Sequence, residues 1–261
     1  MTLATPAVDA PRRSPFLPVL RLLRPRAEVR RAGGRTGVPW AVLLLVLASW
    51  TSFLLIDERD EFAVDHPLYI HFPDFSERPW RIVPNLVVTP LVNTQPDQIV
   101  LVTALLLGFG IPVERRLGSK VVLGVFWGAT AMAAVLGAGA LHVLYPLFPD
   151  VHAFSEGGWY RVFNGGSAGG FGLMGAMAAT SRFTAVWVAL YCLWEPSFWL
   201  VVTQDFTAVL HVTAFFTGLG AAGVVLRRRT VCAAGPGGVR SAPVAARRGE
   251  PGGGQGGAER R

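Results

Sequence analysis

Residues 165–180 read GGSAGGFGLMGAMAAT: sixteen residues without a charge, six of them glycine, with one serine near the start. Small residues let neighbouring helices approach to near backbone contact, which is how helices associate where the surroundings are as apolar as they are. The stretch therefore reads as one short span of a membrane bundle, and what flanks it decides whether that reading holds.

The flanks agree with it. Of the 261 residues 51% are apolar and only 16% charged, and the charges collect between long uncharged runs, as in a membrane protein. A bilayer core needs about 20 apolar residues per helix. Five more runs approach that length: Val38–Ile56, closed by the charged DERDE; Gln98–Pro112; Val121 to about Tyr145; Phe183–Val202; and Phe206–Leu226, stopped by Arg227, Arg228 and Arg229. VERRLGSK, residues 113–120, reads as a charged turn between the second and third spans, and the region from His66 to about Asn85 as a polar loop. Gly124 and Gly128 have the spacing of close helix packing. The expected fold is an all-α membrane protein with six transmembrane helices. A basic, disordered leader (1–37) precedes the membrane domain (38–229), and a disordered tail (230–261) follows it.

The net charge of +7 does not point to nucleic acid, because the arginines sit at span ends and in glycine-rich tails without interleaved aromatics. Cys192 and Cys232 form no CxxC pair, so neither a disulfide framework nor a zinc site is expected. Arg115, Arg116, Lys120, Arg182 and Arg227–Arg229 share one side of a six-span bundle with the leader. By the positive-inside rule that side is the cytoplasm, both termini face it, and the protein is a multi-pass cell-membrane protein. Arg59, Arg78, Arg81 and Arg161 fall outside.

Topology gives the serine a depth. The fourth and sixth spans both enter from the outer face, which puts Ser167 roughly 5 Å and His211 roughly 7 Å inside at 1.5 Å per residue. Similar depths on different helices are what a serine activated by a histidine base requires. The glycines have two readings. Gly169, Gly172 and Gly218 form a packing surface, Gly169 and Gly218 bringing the fourth and sixth spans together. Gly165, at the helix start, leaves amides accessible to a developing oxyanion.

At this point a resemblance becomes specific. GGSAGGFGLMGA resembles the serine motif of the rhomboid intramembrane proteases. HVTAFFTG, from His211 to Gly218, is similar to the family's histidine helix, and FGIPVERRLGSK to its connection between the second and third spans. Trp80 and Arg81 are similar to a pair in the family's first outer loop. The resemblance implies a six-helix bundle, a Ser167–His211 dyad with Phe171 stacked beside the histidine, and cleavage of transmembrane proteins near the outer face. It implies no cofactor and no metal.

This chain also departs from the family. Gln98 and Val102 stand where a histidine and an asparagine usually stabilise the oxyanion. Glutamine still donates and valine does not. Ala168 replaces a glycine, and Asn93 stands where a further histidine is frequent. These departures support a second reading, in which the bundle binds, retains or chaperones membrane clients without chemistry. The partners are transmembrane substrates or clients and the lipid bilayer, and the oligomeric state stays open.

Other polar residues carry smaller expectations. Glu195, before Pro196 in the outer half of the fifth span, reads either as the mark of a gate or water entry or as a carboxylate reaching to the interface from a proline-ended helix. His142 and His152 approach a metal-ligand pair, but no cysteine or carboxylate spacing supports a metal.

Overall fold

The computed structural model describes residues 37–56, 68–93, 95–147, 159, 162–163, 165–198 and 206–233. Most of the leader and tail, together with His66, His152 and Arg161, lie outside them. Met1–Leu226 form one compact unit and Arg227–Arg261 a second, of which 227–233 are described, as the end of a helix.

The elements in chain order are α1 (Trp40–Leu55), β1 (Ile70–His71), α2 (Asp74–Glu77), α3 (Ile82–Val88), α4 (Pro96–Leu105), α5 (Ile111–Leu117), α6 (Ser119–Leu147), β2 (Val162–Phe163), α7 (Gly166–Thr180), α8 (Thr184–Ser197) and α9 (Thr207–Ala233). Among the described residues, three helices are long and apolar enough to cross a bilayer: Pro96–Leu117, Ser119–Leu144 and Thr207–Cys232. α1 is apolar and shorter. Exposed side chains such as Leu44, Leu47, Leu136, Leu193 and Trp194 suit hydrocarbon surroundings, so the molecule is mostly helical and associates with a membrane.

Pro96 opens α4 at a position where its missing N–H breaks no helical bond. Pro112 falls within the continuing helix and has no N–H to give Gly108. Just before it, residues Leu106–Gly110 widen into a π turn, with the Ile111 amide bonded to the Leu106 carbonyl five residues back. The charged VERRLGSK segment is not a simple turn. Val113–Leu117 stay helical, and the break falls at Gly118, whose φ of 94° suits glycine. Glu114 is buried and reaches α1: its carboxylate accepts from the amides of Ala41 (3.0 Å) and Val42 (2.9 Å) and from the Ser119 hydroxyl (2.6 Å). Two of the amides that any helix leaves unpaired at its start are thereby satisfied.

α7 is the centre of the bundle, with every residue buried except Ser167 and Met174, which are half-buried. Its glycines face in several directions. Gly169 abuts the Phe126 ring of α6, not α9. It is Gly172 that meets Gly218, and Gly175 that meets the Phe215 carbonyl; a Cβ at Gly218 or Gly175 would collide with backbone of the opposite helix. Gly124 and Gly128, by contrast, face open space. Their spacing puts them on one face of α6, but that face points away from the bundle.

The polar loop after α1 is folded where it is described. β1 pairs antiparallel with β2, Ile70 opposite Phe163 and His71 opposite Val162. Asn85 Nδ2 donates to the Tyr69 carbonyl (2.8 Å) and Thr89 to that of Leu68 (3.1 Å). The buried Asp74 carboxylate meets Arg78 at 2.8 Å, and Trp127 Nε1 of α6 donates to the Val87 carbonyl (2.9 Å). At the other end of the chain the arginine triplet does not stop α9, which continues to Ala233. Arginine is a good helix former.

Candidate active site

Gly165 caps the N-terminus of α7, and the first helical bond of α7 runs from the Gly169 amide to the Gly165 carbonyl (3.1 Å). The amides of Gly166, Ser167 and Ala168 therefore have no acceptor within the helix. Thr130 of α6 braces this turn, its hydroxyl shared between the Phe126 carbonyl (2.9 Å) and that of Gly165 (3.1 Å). Ser167 thus stands on a held first turn, beside amides that have no acceptor within the helix and at the positive end of the helix dipole.

Across from it, His211 projects from the second turn of α9 and is 2% exposed. Its Nε2 lies 3.0 Å from Ser167 Oγ, within reach for proton transfer. The imidazole lies against the Phe171 ring, centroids 4.1 Å apart and planes at 30°. Phe171 follows Ser167 by about one helical turn, so one face of α7 presents both the hydroxyl and the ring that steadies its partner. Behind them Tyr191 stacks on Phe215 at 3.9 Å, nearly parallel.

The second imidazole nitrogen is also engaged. Nδ1 of His211 lies 2.5 Å from Oε1 of Glu195, which α8 contributes and which is 4% exposed. Three helices therefore bring a hydroxyl, an imidazole and a carboxylate into line. Beside them opens a cavity of about 450 Å³, walled by Leu101 of α4, Met174 of α7 and Trp187, Leu190 and Trp194 of α8, with Phe171, Glu195 and His211 also in its lining.

No family model, curated protein or solved structure matches the chain. The chemistry is read from the arrangement itself. A serine bonded to a histidine that is bonded in turn to a carboxylate is recognised by geometry and roles rather than by sequence position. It is suited to nucleophilic attack on a carbonyl.

The structure brings Ser167, His211 and Phe171 together and sets Gly165 two residues before the serine, as the N-cap of its helix. Gln98 lies in the first turns of α4 and is half-buried. Val102, one turn further, is fully buried; its methyl lies 3.2 Å from where a Cβ at Gly166 would stand, and Asn93 Oδ1 lies 3.0 Å from the same point. The serine's turn is thus flanked by an apolar side chain and a buried amide. Asn93 Nδ2 donates to the Leu91 carbonyl (3.1 Å), and its Oδ1 has no hydrogen-bond partner among the described residues. Ala168 is buried in the core.

One expectation changes. Glu195 does not reach toward the interface; it turns inward to His211, because a buried carboxylate is tolerable only where a donor meets it. The signal for this lay in its depth, one acidic residue in an apolar run near the level of the serine and histidine. His142 is engaged by the Ala138 carbonyl (2.8 Å) and by Ser76 Oγ (3.1 Å). No cluster able to hold a metal occurs among the described residues.

Proposed function

We propose that the protein is a rhomboid-like intramembrane serine endopeptidase, a six-span cell-membrane protein with both termini cytoplasmic, cleaving transmembrane substrates near the outer face. The observation that carries this reading is the 3.0 Å approach of Ser167 Oγ to His211 Nε2, with His211 also lining an apolar cavity. The three long apolar helices support the membrane setting, and the motif resemblance supports the family.

In this mechanism His211 Nε2 takes the Ser167 proton as Oγ bonds to a substrate carbonyl carbon, whose π electrons move onto oxygen. The oxyanion is held by the amides at the start of α7. Its collapse breaks the C–N bond, and the leaving amine takes the proton from Nε2. Water then repeats the sequence: His211 removes its proton, the oxygen attacks the ester, and Ser167 regains a proton as the acid leaves. The apolar cavity holds the unwound substrate segment and limits stray water.

Val102 favours a second reading. A buried valine beside the serine's turn offers no donor where one strengthens catalysis, and the loss of one such donor costs about 100- to 1000-fold. In that reading the bundle binds membrane clients without cutting them. Labelling of the full chain in membranes with a fluorophosphonate probe, alongside cleavage of a transmembrane reporter, separates the two. The peptidase reading expects Ser167-dependent labelling and cleavage. Client capture that is equal in wild type and Ser167→Ala, with neither cleavage nor labelling, overturns it.

A further inference from the structure

Glu195 has no evident reason to be where it is, apart from His211. Its helical neighbours Leu193 and Trp194 are more than two-thirds exposed and apolar, whereas Glu195 itself is 4% exposed. A carboxylate among such residues is costly unless a donor meets it, and the donor it meets is Nδ1 of His211 at 2.5 Å.

That contact decides which nitrogen of His211 carries hydrogen. A neutral imidazole has one N–H and one lone pair, and the tautomer is set by the partner of the other nitrogen. A carboxylate only accepts, so the hydrogen sits on Nδ1 and the lone pair on Nε2 faces Ser167 Oγ. The opposite tautomer would donate to the serine and leave no base. We propose that Glu195 is a positioning residue: it fixes the tautomer and orientation of His211 and stabilises the imidazolium formed when His211 takes the serine proton. This makes the site a three-residue Ser–His–Glu arrangement rather than a dyad. Glu195 itself takes no proton. The resemblance implied only a serine and a histidine, so this role comes from the geometry; it rests on the serine peptidase reading for its catalytic consequence.

Two measurements on the full chain in lipid nanodiscs test it. The first is the NMR of ¹⁵N-labelled histidine, with the His211 signals assigned by their loss in His211→Ala. Wild type and Ser167→Ala should both show protonated Nδ1 and unprotonated Nε2, with a downfield proton from the Nδ1–H bond to Glu195. Glu195→Gln should lose that proton and mix the tautomers. The second is reporter kinetics. Glu195→Gln and Glu195→Ala should lower kcat by about 100- to 10,000-fold with KM within about two-fold of wild type, and Glu195→Asp should recover part of the loss. A Glu195→Gln protein with wild-type tautomer and kcat overturns the proposal. So does one that loses kcat only in step with a lowered Tm, since that is a packing role. If wild type cuts nothing while the histidine signals behave as stated, the peptidase reading fails and the hold of Glu195 on His211 stands. If wild type cuts and the signals ignore Glu195, the reverse holds.

Discussion

Ser167 and His211 lie 44 residues apart on different helices, and their side chains meet at 3.0 Å. Nothing local enforces that approach. It depends on α7 and α9 being almost in backbone contact at Gly172 and Gly218, one to two turns further along each helix, so the packing of glycines sets the reach between hydroxyl and imidazole.

In the proposed peptidase, nucleophile and base act as one unit, so removing either should cost about as much as removing both. Ser167→Ala, His211→Ala and the double variant should each lower reporter cleavage on the order of 10⁶-fold, to background. Single-turnover assays on purified protein check this. Cleavage that persists in Ser167→Ala means another nucleophile.

The Gly218 contact should be intolerant of a single methyl. Gly218→Ala is expected to lose about 3 kcal/mol or more, since the opposing atoms are Gly172 backbone and have little room to give. Gly124→Ala faces open space, where trading glycine for alanine in a helix should gain about 0.5–1 kcal/mol. Denaturant unfolding in detergent compares the two, and equal effects would refute the packing arrangement.

At the serine's turn, Val102 is the side chain whose replacement should raise activity. Val102→Asn places a donor beside Gly166 and should speed cleavage about 10-fold or more, at some cost in stability from a buried amide. Val102→Ala, which adds no donor, should not raise the rate. An unchanged rate in Val102→Asn would place the oxyanion elsewhere.

Glu114 should matter to stability and not to chemistry. Glu114→Ala strands the Ala41 and Val42 amides and the Ser119 hydroxyl, for an expected loss of about 2–4 kcal/mol. Glu114→Gln keeps an acceptor and should lose about half as much. Thermal unfolding gives the stabilities, and kcat per folded molecule should stay at the wild-type value in both.

Orientation is checked by reporter fusions. Those after Arg35, Lys120, Arg182 and Arg229 should report cytoplasm, and those near Asp74 and Asp150 the outer side. An outer location for Arg229 would remove the six-span arrangement.

What the chain reveals on reading is what depends on one dimension. Apolar runs ending in charge locate the helices, and counting inward from their outer ends puts Ser167 and His211 at similar depth. What stays hidden depends on azimuth. Gly124 and Gly128 carry a packing spacing yet face outward, because the spacing fixes a shared face and not its direction. Glu195 sits at a suitable depth, but whether it meets His211 or lipid turns on the rotation of α8. The folded first loop was hidden for another reason: its two-residue strands and side chain to carbonyl bonds leave no periodicity to detect.

The Glu114 carboxylate also has a consequence in time. It lies 73 residues after the first amide it holds. A chain made from its N-terminus therefore produces α1 long before the group that satisfies its leading end. Until Glu114 emerges, those amides must find another acceptor, such as water. The first helix is thus made early and locked late, and a chain interrupted before residue 114 would present α1 with its leading end unsecured.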